Sequence, residues 1–160
     1  MSKSLLILNF MKFYRFLFFV FLASCKPDIN QLNSEAERFE ELGNLNAALE
    51  IRNEILSIDS INFHSLFNKG VIQQKQNNFA GAAQSFSKIL EQKSLIVGLV
   101  DSSRSIEGSI NLEEVRYQRA NSYFKMKQWD RAADDYQQCI SNEYKTEKCK
   151  DLLEFCIESK

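Results

Sequence analysis

Few residues in this chain have the chemistry for catalysis or metal binding. His64 is the only histidine, so a Cys–His nucleophile pair or a multi-histidine metal site would have to be built on it. The four cysteines are Cys25, Cys139, Cys149 and Cys156, and the spacings between the last three match no zinc signature. Adjacent carboxylates occur at Glu40-Glu41, Glu113-Glu114 and Asp134-Asp135. Neighbours on a helix point about 100° apart, so these pairs read as solvated faces and not as acid–base dyads. The sequence has no nucleophile elbow, Gly-rich phosphate loop or metal-ligand cluster. No catalytic residue, metal or cofactor is expected, and His64 reads as a surface or groove histidine.

The elements available to position binding residues are helices. The chain has 160 residues, a formal net charge of -1 and 44% hydrophobic residues, with only five Gly and one Pro. That is ordinary globular composition with too few turn formers for a sandwich or barrel. There is no basic excess to suggest a nucleic-acid partner. Of thirteen Phe, six crowd between Phe10 and Phe21, so the two ends of the chain differ in kind.

Residues 1–25 place Lys12 and Arg15 before an apolar run from Phe16 to Ala23, then small residues and Cys25. This is the order of a secretory signal peptide, and Met11 is an alternative start. As a membrane span the stretch is short and has both cations inside it. The junction Leu22-Ala23-Ser24-Cys25 resembles the lipobox of bacterial lipoproteins. That resemblance implies cleavage after residue 24, acylation of Cys25, a short tether over 25–33 and a place in the bacterial cell envelope, on the periplasmic or outer-surface side. An ordinary signal peptide with an incidental cysteine is the alternative. Loss of Lys3, Lys12 and Arg15 leaves 17 basic residues against 21 acidic ones, a formal charge of -4, so lipid and not charge would hold the protein at a membrane.

The stretch Ala120 to Ile140 reads as a helical hairpin in which Ala120 and Ala132 permit close approach and Tyr123, Trp129 and Tyr136 fill the surrounding volume. The same pattern recurs with Ala48 and Ala82 at the position of Ala132, at intervals of 34 and then 50 residues. Copies are set at 29–62, 63–96 and 113–146, with an insertion at 97–112. A helix-turn-helix period of 34 residues resembles the tetratricopeptide repeat (TPR). Leu32, Ala36, Phe39, Gly43, Ala48 and Asp59 carry the resemblance in copy one, where Ala36, Phe39 and Leu42 set a helical face; Leu66, Gly70, Phe79, Ala82 and Phe86 carry it in copy two. Departures are Arg52 and Gln73 where the family has aromatics, Lys127 for the inter-helix glycine, and no terminal proline.

The resemblance implies an all-α fold, an α-solenoid of about three helix-turn-helix units. Residues 147–160 are expected to form its capping helix, with the Thr146 side chain capping its start and Cys149, Leu152, Leu153, Cys156 and Ile157 as its apolar face. In the family the first helices of successive units line a groove for a protein or peptide partner. Carried over, that groove is His64, Phe67, Asn68, Val71, Gln74 and Lys75 in copy two, and Glu114, Tyr117, Gln118, Asn121, Phe124 and Lys125 in copy three. Cys139 and Cys149 lie at similar heights across the final hairpin, so a disulfide is geometrically conceivable; the alternative makes all three late cysteines core residues. The expected function is a membrane-anchored lipoprotein adaptor that binds a protein partner. The alternative is a structural or accessory subunit of an envelope assembly that uses the insertion or the cap for its contacts.

Overall fold

Seven helices and no strand make up the described residues of the computed structural model, which cover the backbone over 28–99 and 110–159 and the side chains over the same residues apart from 93–99. The expected signal peptide, lipidation at Cys25 and most of the insertion lie outside them. Leu32–Lys160 forms one unit. The helices are α1 (Ile29–Glu41), α2 (Leu45–Ile58), α3 (Phe63–Lys75), α4 (Phe79–Leu99), α5 (Leu112–Lys125), α6 (Trp129–Ser141) and α7 (Thr146–Glu158). From α2 onward each packs on the next, and α3 also meets α5. This chain of neighbour contacts is an α-solenoid. The apolar residues after Lys93 continue α4 as far as Leu99, so the insertion begins as helix.

The repeat is written in the backbone as well as in the side chains. Gly43, Asn77 and Lys127, spaced by 34 and 50, take φ of 72°, 60° and 58° at the ends of α1, α3 and α5. Each sits inside a closing bond from the N–H of the next residue to the carbonyl five back: Asn44 to Phe39, Asn78 to Gln73 and Gln128 to Tyr123, at 2.8 to 2.9 Å. This left-handed C-terminal closure satisfies a stranded carbonyl and turns the chain. Tyr144 repeats it onto Cys139 at 2.8 Å, with Glu143 at φ 57°. Asn44, Asn62 and Asn111 then cap α2, α3 and α5 with their side chains.

Burial follows the same register. Ala48, Ala82 and Ala132 are fully buried, as are Ile55, Ile89 and Cys139 about two turns further on. Arg52, Phe86 and Tyr136 share the next equivalent position, and all three are at 0% exposure. The two polar departures are thus internal and bonded. Gln73 accepts from the Ser85 hydroxyl at 2.8 Å; Arg52 donates to Glu40 and Asn33. Trp129 is half-buried, against Phe124 and Phe155.

Three expectations need correction. Leu42 is 73% exposed because α1 ends at Glu41 and leaves it in the turn. Ile157 is 60% exposed, about 100° round α7 from buried Cys156. Thr146 is the first helical residue, preceded by Lys145 at φ 44°, and makes no side-chain cap.

Gly70 is a point of close approach in the α3–α4 hairpin: a Cβ there would stand 2.6 Å from the Phe86 ring. Gly70→Ala gains about 1 kcal/mol of helix propensity but forces a fully buried ring to move, at about 1 to 3 kcal/mol. A lower denaturation midpoint is expected. An unchanged or raised midpoint would mean that the ring has room.

Candidate binding groove

A groove of about 440 Å³ opens where α3, α5 and α7 come together. Its apolar lining is Phe79, Tyr117, Phe124 and Leu152; Gln74, Gln118 and Asn121 supply amides, and Lys125 and Lys148 supply cations. The first helices of units two and three therefore contribute, as does α7, which occupies the place of a further first helix and is a wall of the groove as much as a cap.

Gln74, Tyr117, Gln118, Asn121 and Phe124 are brought together here. The amides are held by protein partners: Gln74 donates to the Gln118 carbonyl at 2.8 Å and the Ser122 hydroxyl at 2.9 Å, and Gln118 donates to Glu114 at 2.6 Å. Asn121 accepts from the Tyr136 hydroxyl at 2.8 Å. Tyr117 is only 4% exposed and forms the groove's base. His64, Phe67, Asn68 and Val71 do not line this groove. His64 is exposed, bonded to Asn68 at 3.2 Å and 3.5 Å from an Arg52 nitrogen. Phe67 and Val71 pack into the core beside Phe86 and Leu66.

The upper edge of the groove is an ionic cluster that spacing alone does not reveal. Lys145 donates to Glu114 Oε2 at 2.6 Å, the Tyr144 hydroxyl donates to the same oxygen, and the Lys145 ammonium lies 4.3 Å from the Tyr117 ring centroid. Burial works to raise the Glu114 carboxyl, but the hydrogen bonds from Lys145, Tyr144 and Gln118 outweigh it and hold the group below the usual carboxylate range. A depressed folded pKa contributes stability that is complete above the unfolded value, about 4.3, and is lost as pH falls through the folded value. Glu114→Gln should therefore flatten the acid limb of the melting-temperature profile below about pH 4.3. A profile parallel to that of the parent would show that the cluster is not coupled to folding. Asp135, expected on a solvated face, is 4% exposed and bound by Arg119 at 2.7 and 2.8 Å.

Cys139, Cys149 and Cys156 are buried free thiols in one core cluster with Tyr117 and Tyr136. Burial, with Cys149 within hydrogen-bonding reach, pushes the Cys139 thiol up to about 12, so at neutral pH it is protonated and a poor nucleophile.

Residues 114–144, which span α5, α6 and the turn after them, match the family model of the tetratricopeptide repeat. No curated protein matches the sequence. Among solved structures, the fold is similar to a tetratricopeptide repeat protein from Parabacteroides merdae, with a TM-score of 0.58 and 20% identity, covering 82% of this chain and 45% of that one. It is also similar to MamA protein, with a TM-score of 0.58 and 13% identity, covering 82% of this chain and 69% of that one. The chain thus spans less than half the length of the Parabacteroides merdae protein, and at these identities the likeness is one of fold. Folds of this kind are generally non-catalytic scaffolds that bind other proteins. With the family's repeat matched at 114–144 and the same helical hairpin recurring at intervals of 34 and 50 residues, the chain carries one tetratricopeptide repeat that the family model matches and has the α-solenoid fold of the tetratricopeptide-repeat structure it is similar to.

Proposed function

We propose that the protein is a lipid-anchored adaptor of a bacterial cell envelope, which receives a protein partner in the groove between α3, α5 and α7. The groove carries this reading: about 440 Å³ with aromatic, amide and cationic lining on successive first helices is a surface suited to an extended or helical segment. The anchor is supported by the order of Lys12, Arg15, the apolar run and Leu22-Ala23-Ser24-Cys25. In growing cells, labelled palmitate should enter the parent protein and not Cys25→Ser, and the variant should leave the membrane fraction. A photo-crosslinking residue at Gln118 or Lys125 should capture a partner that the same residue at exposed Gln138 on α6 does not. Equal capture at both positions would move the site away from the groove.

A second reading, an accessory subunit that makes its contacts through the cap, draws on the exposure of Phe155 at 49% and Ile157 at 60% on the terminal helix. Capture from position 157 and not from 118 would favour it.

A further inference from the structure

The charge of the groove narrows what it takes. Among the described residues its lining holds two ammonium groups, Lys125 on α5 and Lys148 on α7, and no carboxylate, although acidic residues outnumber basic ones in the chain by 21 to 20. Other cations nearby are engaged: Lys145 with Glu114 at 2.6 Å and Arg119 with Asp135 at 2.7 Å. Lys125 and Lys148 have no ion-pair partner among the described residues. Lys148 instead stands 5.5 Å from the Tyr117 ring centroid, a contact that steadies an ammonium without using its hydrogen-bond donors. Four residues before Lys125, Asn121 has its amide oxygen taken by the Tyr136 hydroxyl, which leaves the NH2 as its available half.

We propose that the groove selects an acidic segment of a partner protein, with Asp or Glu side chains held by Lys125 and Lys148 and an adjoining apolar side chain seated on Phe124 and Leu152. Two cations on separate helices call for two carboxylates, which side chains along a segment supply and a single chain terminus does not. The terminal helix thereby sets specificity, because Lys148 belongs to it and not to any of the three repeats. The proposal rests on the groove being the partner site.

The test uses the full chain in detergent micelles and fluorescent nonapeptides with amidated C-termini, built from Leu and Phe with Asp and Glu, with Asn and Gln, or with Lys. A fourth peptide has neutral side chains and a free C-terminal carboxylate. Fluorescence anisotropy should give acidic peptides about ten-fold tighter binding than neutral ones. Lys125→Gln and Lys148→Gln should each weaken acidic binding about two- to five-fold, the range of an exposed ion pair, with neutral binding unchanged. The preference should shrink as ionic strength rises from about 0.05 to 0.5 M. Both lysines are exposed, so the variants fold, as thermal melts would check. If acidic and neutral peptides bind alike, or both lysine variants leave the preference intact, the acidic selectivity is wrong while the groove reading stands. Tighter binding of the free-terminus peptide than of the acidic one would replace side-chain carboxylates by a chain end and overturn the proposal. No binding by any peptide, together with no crosslink from Gln118, would overturn the groove reading with it.

Discussion

Tyr136→Ala should lower the stability of the array by about 3 to 5 kcal/mol, the range for removing a large aromatic side chain from a closed core. Tyr136 has no exposed surface and stands in the middle of the α5–α6–α7 core, with its ring centroid 6.2 Å from that of Tyr117 and 6.5 Å from that of Phe124. Ala132 and Ala120 are at 0% exposure in the same cluster, so the backbones are already close and have little freedom to collapse into the void. The hydroxyl adds a separate contribution through its bond to Asn121 at 2.8 Å. Tyr136→Phe keeps the ring and isolates that bond, at about 0.5 to 1.5 kcal/mol. It also releases the Asn121 amide in the groove, so it should change peptide binding more than stability. Chemical denaturation of the three proteins checks both numbers. If Tyr136→Ala cost less than about 1 kcal/mol, the hairpin would not be the packed centre that its burial indicates.

The repeat was legible because stacking imposes one register on every copy. A small residue must recur wherever two helices cross closely, so Ala48, Ala82 and Ala132 mark the period, and the same period locates the positive-φ turns at Gly43, Asn77 and Lys127. Individual residues were less legible where burial depends on a partner distant in sequence. Arg52 reads as a fault in an aromatic position until Glu40 and Asn33 on α1 are seen to receive its donors. Asp135 reads as a solvated neighbour of Asp134 until Arg119, sixteen residues earlier, is seen against it. Of the candidate groove, the α5 residues follow from register. His64, Phe67, Asn68 and Val71 lie off the groove, because among the described residues its wall on that side is Gln74 at the end of α3 and Phe79 at the start of α4. Lys148 and Leu152 could not be read from the repeat at all. They sit on α7, and the angle at which a terminal helix leans on its neighbour is set by packing on Cys139, Tyr144 and Tyr136, which no periodicity encodes.

Arg52→Ala should cost about 3 kcal/mol, at the lower end of the range for breaking a buried ion pair. The guanidinium has no exposed surface, whereas Glu40 keeps 19% of its side chain exposed and so retains some water when unpaired. Three helices lose a link at once, because Arg52 on α2 reaches Glu40 at 2.9 and 3.1 Å and Asn33 at 2.7 Å on α1, and comes within 3.5 Å of His64 on α3. Most of the cost is the carboxylate left without its partner, so Arg52→Met combined with Glu40→Gln should recover about 1 to 2 kcal/mol of it. The position is equivalent to Phe86 and Tyr136, where an aromatic serves the same end by volume. Because a solenoid is held by nearest-neighbour contacts, the loss should fall on α1 and α2 and not on the whole array. Hydrogen exchange should accelerate there first, while α5, α6 and α7 keep their protection and the groove keeps its affinity for acidic peptides. Uniform acceleration across all seven helices would show instead that the first hairpin and the groove fold as one unit, and that Arg52 supports binding from a distance.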